Sequence, residues 1–95
     1  MERQKADDSG DRLLAESLGR CIERHREAEG MSQSELARRT GLARAYVWRV
    51  EKGQTMANMR SIGRISLALG VPVPRLLEGL DVSGLSMKNR PYGES

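Results

Sequence analysis

The chain is poor in aromatic side chains. Its 95 residues include no phenylalanine, one tryptophan and two tyrosines. Two of these three, Tyr46 and Trp48, fall in one stretch, ARAYVWRVEKG (Ala43 to Gly53), beside Arg44, Arg49 and Lys52. Such a stretch is either core that happens to carry charge or a surface built to touch a partner. Cysteine is nearly absent as well. Cys21 stands alone, which excludes an internal disulfide and a cysteine-based metal cluster and suits a reducing, cytoplasmic setting. His25, the sole histidine, lies four residues on at metal-ligand spacing, but two ligands without further partners make a poor site. With no accompanying His–Asp arrangement, the serines offer no nucleophilic triad, and the chain reads as a non-enzyme needing no cofactor and no metal. No apolar run approaches the roughly 18 residues of a membrane span. The opening segment, MERQKADDSGDR, has no apolar stretch and is not expected to be a signal peptide. Neither an internal repeat nor a low-complexity block occurs.

A chain of this length supports one small domain, burying roughly two-thirds of its unfolded surface. The net charge is +3 and unevenly spread. Residues 1–17 carry three basic and five acidic side chains, residues 18–60 nine and five, and residues 61–95 four and three. The basic excess coincides with the aromatic stretch and hints at an anionic partner.

Helical periodicity dominates the body. Leu14, Leu18 and Ile22 form a stripe, flanked by Leu13 and Cys21, on a helix expected from about Asp11 to Glu29 and stopped by Gly30. The SQSE sequence beginning at Ser32 is a capping box for a second helix that Gly41 ends. A third is expected from Arg44 to Lys52. A fourth runs from an Asn58 cap to Leu69, with Met59, Ile62, Ile65, Ser66 and Leu69 facing inward. A fifth spans Pro74 to Leu80. The expected fold is all-α, a compact five-helix domain over residues 11–81, with tails over 1–10 and 82–95.

Residues 33–52, QSELARRTGLARAYVWRVEK, meet the requirements of a helix-turn-helix. Two short helices are separated by about four residues, with one glycine in the turn and no proline in either helix. Apolar or near-apolar positions fall at Leu36, Ala37, Thr40, Leu42, Val47 and Val50. At about 100° per residue from Arg44, Trp48 lies at about 40°, Lys52 at 80°, Ala45 at 100° and Arg49 at 140°. Tyr46, Val50 and Val47 fall at about 200°, 240° and 300°. One face therefore packs inward and the other is offered outward.

The stretch MSQSELARRTGLARAYVWRVEKGQ, followed by SIGRISLALGVPVPRLL, resembles the phage-repressor and Cro (XRE-type) DNA-binding family. The likeness covers about residues 18–77. It implies a five-helix domain in a transcription regulator, usually a homodimer, with its third helix in the major groove of double-stranded DNA. Arg44 matches the leading base-reading position, and its guanidinium suits guanine O6 and N7. Ala45, Trp48 and Arg49 complete the expected base-contacting set. The resemblance assigns a phosphate to Gln33, whose helix N-terminus adds N–H donors. Lys52, Thr55, Asn58 and Arg60 are further expected phosphate contacts. It also implies an ion pair between Arg26 and Glu51. Three positions depart from the pattern: Ala43 replaces a capping residue, the loop before the fourth helix reads MAN, and Trp48 stands where a small or polar residue is usual.

Leu67 falls on the outer side of the fourth helix, and Val73, Leu77 and Leu80 continue an apolar trend. These four are the expected homodimer interface. The alternative is that the fifth helix folds back on its own core. With no ligand domain expected, regulation falls to protein concentration, operator overlap or a partner. Phage repressors, toxin–antitoxin autoregulators and restriction–modification controllers are the small regulators of this kind. A rival function is an antitoxin-like or adaptor module that binds protein. Steep salt dependence of DNA binding separates the two.

Overall fold

A computed structural model describes residues 9–87. Most of the expected tails therefore lies outside the described residues, as does Tyr92. Among the described residues there are five helices and no strand: α1 Ser9–Ala28, α2 Gln33–Thr40, α3 Arg44–Glu51, α4 Met59–Leu69 and α5 Val73–Leu76. None is long and apolar enough to cross a membrane.

Local chemistry sets most of these boundaries. The Ser32 hydroxyl accepts from the Glu35 N–H at 3.0 Å, and Asn58 Oδ1 accepts from the Ser61 N–H at 2.8 Å. Gly41 and Gly70 end α2 and α4 at φ 77° and 71°, a left-handed conformation that glycine adopts without strain. Only half of the expected capping box forms. The Glu35 carboxylate turns along its own helix to Arg39, 2.6 Å away, rather than back to Ser32. α3 begins with no side-chain cap, because its N-cap residue is Ala43.

Two helix boundaries differ from expectation by more than one residue. α1 starts two residues earlier, at Ser9. α5 is a single turn, Val73–Leu76, instead of reaching Leu80. Turn bonds from the Glu78 N–H to the Arg75 carbonyl and from the Leu80 N–H to the Leu77 carbonyl replace helical ones, and Gly79 sits at φ 93°.

The core joins Leu18 and Ile22 of α1, Met31 of the following turn, Leu36 and Ala37 of α2, Val47 and Val50 of α3, Ala57, three residues of α4 (Ile62, Ile65 and Leu69) and Leu76 of α5. Met59 is not part of it. It remains 62% exposed, at the margin of the stripe that Ile62, Ile65 and Leu69 turn inward. Leu14 is half-buried and Leu13 exposed.

Two backbone crossings fix the frame. Gly19 of α1 lies so close to the end of α3 that a Cβ there would meet the Glu51 carbonyl oxygen at 2.3 Å and that of Val50 at 2.5 Å. Gly10 lies against Gly84, where a Cβ would be 2.1 Å from the Gly84 carbonyl oxygen. The segment after α5 is thus laid along the first half of α1. The Asp81 N–H donates to the Ser17 hydroxyl at 2.9 Å, and the Cys21 thiol donates to the Glu78 carbonyl at 3.5 Å.

Candidate nucleic-acid interface

The α2–turn–α3 unit is held by bonds that its own sequence supplies. The Thr40 hydroxyl is buried and donates to the Leu36 carbonyl at 2.8 Å, while accepting the Leu42 N–H at 3.3 Å. The Gly41 N–H returns to the Ala37 carbonyl at 2.9 Å. These bonds turn the chain within three residues, Gly41 to Ala43, and start α3 at Arg44.

α3 then divides as the helical angles require. Val47 and Val50 are each 1% exposed. Tyr46 is half-buried against the core, its hydroxyl 3.4 Å from the Ser61 hydroxyl. Arg44, Ala45, Trp48 and Arg49 all face solvent. The Arg49 guanidinium lies 6.0 Å from the centre of the Tyr46 ring, the outer limit for a cation–π contact.

A buried ion pair anchors this helix from behind. Arg26 Nε and Nη2 donate to the two Glu51 carboxylate oxygens at 2.6 and 2.9 Å. Arg26 Nη1 also donates to the Met31 carbonyl at 2.7 Å. Their side chains are only 10% and 1% exposed. The bond to Glu51 is the largest influence holding the Arg26 guanidinium protonated beyond its usual range, against the opposing effect of burial. Glu51 also accepts from Gln33 Nε2 at 2.8 Å. That last bond was not foreseen, since residue type and spacing do not show that these two side chains meet.

The expected DNA-contacting residues fall into separate places. Gln33, Arg44, Ala45 and Trp48 surround one notch at the junction of α2 and α3. Lys52 is exposed just beyond α3, and Arg60 is exposed in the first turn of α4. Asn58 uses Oδ1 as the α4 cap, which leaves its amide N–H groups as donors. Thr55 lines a different groove, with Asp11, Arg12, Ala15, Gly53, Gln54 and Met56 between α1 and the α3–α4 loop.

The expected interface residues also separate. Leu67 is 84% exposed, whereas Val73, Leu77 and Leu80 are partly buried against their own core. For those three the structure has the fifth helix and its continuation folding back on the single chain. Cys21 is buried, and no cluster of three or more metal-ligating side chains occurs among the described residues.

A propped, outward-facing α3 joined to α2 by a glycine turn defines a helix-turn-helix domain. The helix-turn-helix family model matches residues 22–76, more than half of the sequence, and the chain belongs to that family. It is similar to the HTH-type transcriptional regulator SinR of Bacillus subtilis (strain 168), with 34% identity over 62 residues, 64% of this chain and 56% of that protein. The chain thus spans little more than half the length of that relative. Among solved structures it resembles the restriction-modification controller protein C.AhdI from Aeromonas hydrophila, with 34% identity and a TM-score of 0.64 over 65% of this chain and 94% of that one. It also resembles the clp gene regulator ClgR from Corynebacterium glutamicum, with 28% identity and a TM-score of 0.67 over 68% and 69% of the two chains.

Proposed function

We propose that the protein is a cytoplasmic, sequence-specific regulator of transcription that binds double-stranded DNA as a homodimer. The observation that carries this reading is the division of α3. Val47 and Val50 lock it into the core, while Arg44, Ala45, Trp48 and Arg49 stand together on its free face. A helix presented in this way fits a major groove, where Arg44 reads a guanine edge. Gln33 at the start of α2, with Lys52, Asn58 and Arg60, supplies donors for phosphates on either side, and these set register rather than sequence. Thr55, in the groove beside α1, is a phosphate contact only at the margin of this surface.

The dimer reading now rests on α4. Met59, Gly63 and Leu67 follow at four-residue spacing, so they share its outer side, and both Met59 and Leu67 are exposed. Two copies joined there place two α3 helices on an inverted repeat, with half-sites about 34 Å apart. C.AhdI, matched over nearly its whole length, makes a small controller of this kind the preferred reading.

Selection of duplexes from a random pool is the test. An inverted repeat is expected, with affinity falling steeply as salt rises. Arg44→Ala should lose about 1–3 kcal/mol of discrimination at one position of each half-site. No enrichment at low salt would exclude DNA reading and favour a protein-binding module.

A further inference from the structure

The outward face of α3 carries one apolar feature among its cations. Gln33, Arg44, Ala45 and Trp48 enclose an open notch of about 290 Å³ whose walls are mostly carbon. Ala45 provides a floor with nothing beyond Cβ. Trp48, 42% exposed, provides a wall. Its indole is not one of the buried core residues. Among the described residues the indole N–H has no acceptor. An exposed indole beside Arg44, Arg49 and Lys52 suits a partner that is both anionic and locally apolar.

The major groove offers one such group, the C5 methyl of a pyrimidine. Resting on the reading of α3 as the DNA-reading helix, we infer that this notch is a socket for the methyl group of a thymine beside the base contacted by Arg44. Ala45 admits the methyl and Trp48 closes over it. Trp48, which stands where the resemblance implies a small or polar residue, thereby becomes a determinant of specificity. Cytosine methylated at C5 carries the same group at the same place, so the socket also distinguishes methylated from unmethylated cytosine.

The test uses the duplex selected from a random pool, with wild-type protein and Trp48→Ala. Each thymine is replaced in turn by deoxyuridine, which removes only the methyl. One position per half-site should weaken wild-type binding about fourfold, the equivalent of one buried methyl. At that position 5-methylcytosine, paired with guanine, should bind more tightly than cytosine by a similar factor. Trp48→Ala should bind the thymine and deoxyuridine duplexes equally, with its helical circular dichroism retained. A difference between thymine and deoxyuridine without one between the two cytosines assigns the socket to thymine alone. Tighter binding of 5-methylcytosine than of thymine overturns thymine as the occupant. The inference is also overturned if no deoxyuridine position matters, or if the methyl preference survives in Trp48→Ala. If the pool yields no duplex, the DNA-reading function itself fails and the socket with it.

Discussion

Gln33 and Glu51 meet at 2.8 Å, so the first residue of α2 and the last of α3 share one carboxylate. Arg26 of α1 holds the same carboxylate from behind. Three helix ends therefore converge on a buried acid, with Gln33, proposed above as a phosphate contact, at its rim. This bond fixes where Gln33 points while using only one of its amide hydrogens.

Removing Glu51 should be costly because it strands a charge. Glu51→Ala leaves Arg26 buried without its counter-ion, and a loss of about 3–5 kcal/mol is expected. That is a large part of the roughly 5–15 kcal/mol available to a small domain. Replacing both partners with methionine removes both charges and should cost much less. Urea denaturation of the single and double variants decides between them. Equal losses would mean that the pair is held by packing rather than by charge.

Gly19 and Gly63 should respond to alanine in opposite directions. At Gly19 a Cβ would collide with the Val50 and Glu51 carbonyls, backbone atoms that yield only if α1 and α3 part. A cost of about 1–3 kcal/mol is expected from this overpacking. At Gly63, also helical, a Cβ meets nothing within 4 Å. Gly63→Ala should therefore stabilise the folded chain by up to about 1 kcal/mol through helix propensity. Thermal unfolding at dilute protein would show one melting temperature falling and the other rising.

Ala43 leaves a gap that serine fills. It already has the extended backbone of an N-cap, φ −69° and ψ 143°, but no side-chain acceptor. Ala43→Ser should add about 1 kcal/mol. The comparison is with Ser32 and Asn58, whose caps form. An unchanged denaturation midpoint would show that Val47, Val50 and the Arg26–Glu51 pair already hold α3 without a cap.

What the sequence made visible was what neighbouring residues decide. Ser32, Gly41, Asn58 and Gly70 punctuate the helices through their own chemistry, and the turn of α3 separates Val47 and Val50 from Arg44 and Arg49. Met59 was misread because it lies at the margin of the apolar stripe, on the side that continues to Gly63 and Leu67. α5 was drawn too long because the chain after Leu76 passes into turns that lie along α1, with Glu78 meeting Cys21, 57 positions away. Gly19 against Glu51, and Gly10 against Gly84, are meetings of distant backbone that no local pattern contains. The same holds for the notch, whose walls come from both α2 and α3.

Asp81 supplies a pH-dependent contact. Its carboxylate accepts from the Ser83 hydroxyl at 2.6 Å and from the Ser83 N–H at 3.0 Å. The hydroxyl bond, followed by the backbone bond, holds its pKa below the usual carboxylate value. A folded pKa below the unfolded one gives a contribution that is present above the unfolded value and lost as pH falls through the folded one. The turn after α5 should therefore loosen as pH falls through the folded pKa, which lies below the ordinary carboxylate value. An NMR titration should place the Asp81 midpoint below 3.8, and Ser83→Ala should raise it. A midpoint that Ser83→Ala leaves in place would assign the shift elsewhere.

Leu67 gives the sharpest test of the dimer. At 84% exposure it contributes little to its own chain, so Leu67→Lys should leave the folded monomer's stability within about 0.5 kcal/mol of wild type. If α4 meets its copy there, the new lysine places like charges at a two-fold contact, and the variant should sediment as a monomer where the wild type is a dimer. Binding to an inverted repeat should then weaken on the order of a hundredfold, because the second half-site is no longer engaged by a linked partner. Binding to an isolated half-site should not change, since Arg44, Ala45, Trp48 and Arg49 lie on a different helix. A variant that remains dimeric would move the interface away from α4.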